Sequence, residues 1–273
     1  LRLDPNLLKA NIILAETYYY KGAYNKAIDV YKECLNKSKD LNRKKEAGRC
    51  LNGIGNVLFE KGDLKDSLKF QKQALKIRES IDDVKGLGYS LNAVGNLYQA
   101  MNDLDKSLEY LKKAYEIRRL LANSRLIAVT LGNIGHVYWR MNNYEKALEY
   151  NNKSLALREE EKDLFGIAVV LNNIGNIHYK EKDFSSALKY YNRSLKYKQR
   201  LNDGAGISTA MNNIGCIFFE DKNYNKAINH FEKALSIRKK IDNKIGVSES
   251  LTGLFESYIS MKNYSKAKHY INE

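Results

Sequence analysis

Leu51-Asn52-Gly53-Ile54-Gly55-Asn56 returns as Leu91-Asn92-Ala93-Val94-Gly95-Asn96, Leu131-Gly132-Asn133-Ile134-Gly135-His136, Leu171-Asn172-Asn173-Ile174-Gly175-Asn176 and Met211-Asn212-Asn213-Ile214-Gly215-Cys216. Each copy starts 40 residues after the one before. A weaker copy starts at Leu251 and another at Asn11, where Ala15 stands in the place of the glycine. The spacing never slips, so seven repeats cover the 273 residues. Length alone suggests one large domain or two ordinary ones. The repeat replaces that reading with one array in which each member packs on its neighbours. The repeats run over 5–42, 43–82, 83–122, 123–162, 163–202, 203–242 and 243–273, the last incomplete.

Each repeat reads as two helices of about 15 to 18 residues. Leu91, Val94, Gly95 and Tyr98 follow the i, i+3, i+4, i+7 spacing of one helix face, and Leu104, Ser107, Leu108, Leu111 and Tyr115 resume it after a break. The break carries the caps. Asp63, Asp103, Asn143, Asp183, Asn223 and Asn263 stand just before the second helix, where a short polar side chain accepts from free N–H groups. Gly22, Gly62, Asn102 and Asn142 come one residue earlier and suit a left-handed helix stop. Asp83, Asn123, Asp163, Asp203 and Asn243 play the capping part at the next boundary. Fourteen helices in seven pairs are predicted. Gly55, Gly95, Gly135, Gly175 and Gly215 fall inside helices, where glycine costs roughly 1 kcal/mol against alanine. Close approach of the paired helix is the expected reason, with Ala27, Ser67, Ser107, Ala147, Ala187, Ala227 and Ala267 answering at the same period.

Composition excludes several classes. Hydrophobic residues are 44% and charged residues 29%, which is globular and not disordered. One proline disfavours a loop-rich or all-β chain. No apolar run approaches the ~20 residues of a membrane helix, so no membrane partner is expected. Cys34, Cys50 and Cys216 are odd in number and form no metal-ligand pair. A reducing, cytoplasmic setting and no metal are expected. No nucleophile–base pair or phosphate loop is present, so neither an enzyme nor a cofactor is expected. The net charge is +14. It is spread over the repeats and falls mostly on second helices, as at Lys65, Lys69, Lys72 and Lys76. A duplex binder gathers its basic stripe on one surface, so nucleic acid is not an expected partner. Arg78, Arg118, Arg158 and Arg238 recur at one place and are expected to pair with nearby acids.

These residues resemble the tetratricopeptide repeat, whose pattern is a large residue, then Leu-Gly, then Tyr, then Ala, an aromatic and Ala. Leu131, Ile134, Gly135, Tyr138, Tyr144, Ala147 and Ser154 take those places in one repeat. Met211, Ile214, Gly215, Phe218, Tyr224, Ala227 and Ala234 take them in another. The usual repeat has ~34 residues and a closing proline. Here it has 40 and no such proline, so the second helix is longer. That departure resembles the long-repeat subclass of LGN/Pins polarity scaffolds, kinesin light chains and bacterial signalling proteins. The resemblance implies an all-α, right-handed solenoid whose first helices line a concave groove. Leu3-Asp4-Pro5-Asn6 looks like the tail of a shorter repeat and Glu273 stops within a helix, so a longer protein is expected.

Carried over by register, the family's groove positions fall on Asn52, Asn92, Asn172 and Asn212, then Asn133, Asn173 and Asn213, then Asn56, Asn96, His136 and Asn176 with Cys216. A further position holds Trp139, Tyr179 and Phe219, with Tyr19 and Phe59 in the earlier repeats, and Arg140 and Lys180 add positive charge. An amide offers one acceptor and two donors, which match the peptide unit of an extended chain. Asparagine forms helix poorly, so its recurrence there favours a binding face over an inert one. The expected function is a non-catalytic scaffold that holds an extended peptide or partner protein, acidic or neutral, oriented by Arg140 and Lys180. The alternative is a sensory segment of a bacterial signalling protein with its output domain elsewhere. His178 is expected to be packed. Leu254, Phe255, Tyr258 and Tyr264 are expected to form an open apolar end face that self-associates weakly.

Overall fold

A computed structural model describes the backbone of residues 5–272 and the side chains of residues 7–270. Among the described residues there are fourteen α-helices and no strand. The first helices of the repeats are α1 (Pro5–Tyr20), α3 (Lys44–Glu60), α5 (Val84–Ala100), α7 (Ser124–Arg140), α9 (Leu164–Lys180), α11 (Gly204–Glu220) and α13 (Lys244–Ser260). The second helices are α2 (Tyr24–Asp40), α4 (Leu64–Glu79), α6 (Leu104–Leu120), α8 (Tyr144–Glu160), α10 (Phe184–Arg200), α12 (Tyr224–Lys240) and α14 (Tyr264–Asn272). The chain divides into two compact units, residues 1–141 and 142–273. Within each, every helix packs on the next in order, the arrangement of an α-solenoid. Leu3, Asp4 and Glu273, on which the reading of the two ends rested, lie outside the described residues.

Three residues close one helix and open the next. The Gly62 amide donates to Phe59 O at 2.9 Å and the Asp63 amide to Leu58 O at 2.9 Å, which satisfies the last carbonyls of α3. The Asp63 carboxylate then accepts from the Asp66 amide at the start of α4. The expected stops are left-handed: φ is 72° at Gly22, 81° at Gly62, 64° at Asn102 and 58° at Asn142. The same conformation also falls on Lys182, Lys222 and Lys262, and in the other turn on Ala122 and Lys162, where nothing in the residue type favours it. All the expected capping residues accept from the amide three positions on. Ala23 and Arg43 occupy the corresponding places without a side-chain cap.

The helix glycines mark where the second helix presses in. A Cβ on Gly95 would stand 2.7 Å from Leu111 Cγ, and one on Gly215 would stand 2.7 Å from the Phe231 ring. The pressing side chain is the one sixteen positions after the glycine. The small residue twelve positions on is fully buried beside it, and the Ser67 hydroxyl donates to Gly55 O at 2.7 Å. One expectation about the last repeat is corrected. Leu254 and Tyr258 belong to a core cluster with Phe231 and Ala267 and are buried, and Phe255 packs against it half-buried. Of the face expected to be open, only Tyr264 is exposed.

Candidate functional site

In residues 1–141, α1 packs on α3, α3 on α5 and α5 on α7, so one face of each first helix contributes to a common surface. Asn52, Asn92, Asn96 and Asn133 are half-buried there, and Asn56 and His136 are exposed. Two pockets open between them, of about 590 Å³ and about 290 Å³. Tyr19, Tyr20, Tyr31 and Tyr89 line the larger with Arg49 and Arg78; Phe59, Asn92, Asn96 and Arg118 line the smaller.

The asparagines form a network within the protein. Asn133 Nδ2 donates to Asn92 Oδ1 at 3.3 Å, one repeat away. Gln71 of α4 reaches between two of them and donates to Asn52 O at 3.1 Å and Asn56 Oδ1 at 2.8 Å. Gln71 gave no sequence signal, because its position holds Leu111, Tyr191 and Phe231 elsewhere. Asn96 Oδ1 is buried and lacks a partner. His136 stacks on Trp139 with ring centroids 5.4 Å apart, and its Nδ1 lies 2.7 Å from Gln99 Nε2. That geometry suits a neutral ring with the proton on Nε2. Desolvation of the ring where it packs on Trp139 and Gln99, and then the Arg140 charge, hold the His136 pKa below its ordinary value although the residue as a whole is exposed. Trp139 is half-buried, with Nε1 buried and unpartnered. Arg140 has two of its donors committed: Nη1 donates to Gln99 O at 2.5 Å and Nη2 to Asn102 Oδ1 at 2.7 Å. It thereby caps the C-terminal end of α5, a use that no sequence letter announces because one acceptor is a carbonyl.

Residues 142–273 repeat the pattern. Asn213 Nδ2 donates to Asn172 Oδ1 at 3.2 Å and to Asn176 Oδ1 at 3.4 Å, and the Tyr191 hydroxyl donates to Asn176 Oδ1 at 2.8 Å. Asn212 Oδ1 accepts from Arg238 at 3.0 Å. Asn173 is half-buried, and Lys180 is exposed. The Tyr179 hydroxyl donates to Glu220 at 3.2 Å, as Tyr19 does to Glu60 at 3.4 Å. Burial and those carboxylates push both phenol pKa values up, Tyr19 to about 12. A pocket of about 370 Å³ is lined by Tyr179, Phe219, Cys216, Glu220, Glu249 and Glu256. Burial, and then Glu256 and Glu220, push the Cys216 thiol up to about 11, which leaves it protonated and poorly nucleophilic. His178 is half-buried and stacks on Tyr190 at 5.4 Å.

Arg78, Arg118 and Arg238 are buried between repeats and Arg158 is half-buried; the expected acid pairing forms at Arg158 and Arg238, and is corrected at Arg78 and Arg118. Arg78 Nη1 donates to Gly86 O at 2.7 Å and Ser90 Oγ at 2.6 Å. Arg118 Nη1 donates to Leu126 O at 3.1 Å and to Thr130 Oγ1. Arg238 Nη1 donates to Gly246 O at 2.7 Å and Ser250 Oγ at 2.8 Å. The carbonyl is always eight residues on and the hydroxyl twelve. Where the twelfth residue is Val170, Arg158 turns to Asp163 at 2.6 Å; where it is Ala210, Lys198 replaces the arginine. Among the described residues, ion pairs form at Arg158 with Asp163 and at Arg238 with Glu249, and the Asp83 charge acts on Arg78 without pairing. Burial pulls the pKa of Arg118 down to about 10. Among the described residues no group of His, Cys, Asp and Glu is placed to hold a metal ion. No helix among them is long and apolar enough to cross a membrane.

A family model described as tetratricopeptide repeat matches residues 6–80, 86–160 and 166–240. No curated protein matches in sequence. Among solved structures, the chain is similar to a signal transduction ATPase with a tetratricopeptide repeat sensor from Pyrococcus horikoshii. The TM-score is 0.78 at 17% identity, over 97% of this chain and 41% of that one. It is similar to aspartyl phosphate phosphatase F from Bacillus subtilis, with a TM-score of 0.75 at 17% identity over 96% of this chain and 67% of that one. A Rap protein complexed with Competence and Sporulation Factor gives a TM-score of 0.68 at 16% identity over 94% and 75% of the two chains. This chain thus spans about two-fifths of the length of the Pyrococcus protein.

Proposed function

The chain belongs to the tetratricopeptide repeat family, and on that premise we propose that it is a non-catalytic interaction scaffold whose first-helix faces hold an extended peptide segment of a partner protein. The observation that carries this reading is the half-buried asparagine network beside aromatic-lined pockets in each compact unit. Amide groups fixed by their neighbours present donors and acceptors to a peptide backbone without first being ordered by it, which lowers the entropic cost of binding. Lys180 and Asn173 remain as uncommitted polar groups on that face, whereas Arg140 has two of its donors engaged in holding the end of α5. The charged groups of the outer helix faces are dispersed and include i,i+4 pairs such as Lys113–Glu109 and Lys153–Glu149, so the reading includes neither nucleic acid nor membrane. A cytoplasmic setting belongs to the same proposal. The Rap protein solved with Competence and Sporulation Factor shares the fold, and that fold is compatible with holding such a partner.

Panning a random dodecapeptide display library against the immobilised chain tests the proposal. It predicts a family of enriched peptides displaced by one another. A library that returns only peptides that bind the uncoated support contradicts it.

A further inference from the structure

The buried arginines are alike on one edge and different on the other. Nη1 of Arg78, Arg118 and Arg238 serves the same carbonyl and hydroxyl in each repeat. Nη2 of Arg238 donates to Glu249 Oε2 at 2.9 Å, a carboxylate supplied eleven residues downstream. The residue eleven downstream of Arg78 is Tyr89, and that downstream of Arg118 is Val129. No ion pair forms at either place among the described residues. Yet both guanidinium groups are only 3% exposed as residues, and each lines one of the two pockets in its unit. Each also carries a buried, unpartnered Nε. The Tyr89 ring lies 5.7 Å from Arg118 Cζ and borders both pockets.

We propose that Arg118, with Arg78 as its counterpart one repeat earlier, is a subsite for an Asp or Glu side chain of the bound peptide, whose carboxylate sits on Nη2 as that of Glu249 sits on Arg238. The inference rests on the peptide-groove reading above and names the chemistry of one of its positions. Three observations support it. The protein itself shows a carboxylate on this edge of an equivalent arginine. The larger pocket carries more basic than acidic groups: Lys45, Lys85, Arg49 and Arg78 line it against Glu16, already paired with Arg49 at 3.0 Å, and Asp83, whose charge acts on Arg78 and not on Arg118. Folding has already removed water from the arginine, so a ligand carboxylate gains a charge-assisted bond at the cost of its own desolvation alone.

The test pans the random dodecapeptide library on the whole chain in three forms: parent, Arg118→Gln and Glu249→Gln. The parent pool should show an acidic residue at a fixed position, and the Arg118→Gln pool should lose it. The Glu249→Gln pool should gain a further acidic position, because Arg238 Nη2 is released. For the best parent peptide, changing its acid to the amide should weaken binding about tenfold or more on the parent and less than about twofold on Arg118→Gln. Arg118→Lys should keep the preference. Enrichment without an acidic position, or an acidic position unchanged in Arg118→Gln, overturns the subsite and leaves the groove reading standing. If no peptide enriches, the groove reading falls and the subsite with it. Should circular dichroism show that Arg118→Gln does not fold, the Glu249→Gln pool decides: a new acidic position supports the subsite, and an unchanged pool overturns it.

Discussion

The Tyr191 ring occupies the place of the side chain that Gly175 lacks: a Cβ there would stand 2.6 Å from two of its ring carbons. The Tyr191 hydroxyl then donates to Asn176 Oδ1 at 2.8 Å. One contact thus ties the missing methyl of a helix glycine to the placing of a surface amide on the next residue. Gly175→Ala should therefore destabilise by about 1–3 kcal/mol through overpacking, although alanine alone favours the helix by roughly 1 kcal/mol. Gly204→Ala is the control. Its Cβ would meet Ile237 and Ile241 at 3.7 Å, an ordinary contact, and should be neutral or stabilising by about 0.5 kcal/mol. Urea denaturation measures both, and a Gly175→Ala protein as stable as the parent would contradict the packing.

Arg118 holds three acceptors through one nitrogen: Asn92 Oδ1, Leu126 O and Thr130 Oγ1. Arg118→Met leaves Thr130 Oγ1 without this donor and takes one donor each from Asn92 Oδ1 and Leu126 O, which keep Asn133 and Thr130, and should cost about 1–3 kcal/mol. Lys198→Arg should gain little by itself, because Ala210 offers no hydroxyl. With Ala210→Ser added it should gain about 1 kcal/mol, the worth of one buried hydrogen bond. A double-mutant cycle with no coupling between 198 and 210 would contradict the assignment.

Asp163 does two things: Oδ1 accepts from the Gly166 amide at 3.0 Å and Oδ2 from Arg158 Nη1 at 2.6 Å. Asn123 only caps, accepting from the Leu126 amide at 3.0 Å. Asn123→Ala should cost about 1 kcal/mol. Asp163→Ala should cost about 3 kcal/mol, since it also strands a largely buried guanidinium. Equal costs in thermal or chemical unfolding would show that the Arg158 pair contributes nothing.

The protein should lose stability on mild acidification. Burial and Arg140 lower the pKa of His136, and burial and Lys233 lower that of His230. The unfolded chain therefore takes up protons below about pH 6.5 that the folded one resists. Stability is full above that pH, falls as pH drops through the window, and levels off once the lowered values are passed. Melting temperatures between about pH 8 and pH 5 should show the fall, and His136→Gln with His230→Phe should flatten it.

Much of the fold was legible because it is repeated. The caps and the stops at Gly22, Gly62, Asn102 and Asn142 carry residue types that only those conformations explain. The left-handed Lys182, Lys222 and Lys262 were not legible, because tertiary packing imposes the turn and lysine gives no sign of accepting it. At the site, the asparagine face was legible from its period and its poor helix propensity. The role of Arg140 was not, since it bonds a backbone carbonyl. The arginine column was read as acid-paired, which holds at Arg158 and Arg238 and fails at Arg78 and Arg118, whose partners are carbonyls and hydroxyls. The hydroxyl twelve residues after Arg78, Arg118 and Arg238, absent after Arg158 and Lys198, was the signal that identifies its partners. Leu254 and Tyr258 were placed on an outer face because their spacing does not tell which neighbour covers them.

The central claim is that the first-helix amides hold a peptide. Isothermal titration of an enriched dodecapeptide into the parent and into Asn173→Ala with Asn213→Ala tests it most directly, with Lys189→Ala on the exposed side of α10 as control. Each lost amide contact contributes about 0.5–1.5 kcal/mol, so the double variant should bind about fivefold to a hundredfold more weakly, and the control should bind as the parent does. An unchanged affinity in the double variant, with its fold intact, would contradict the account.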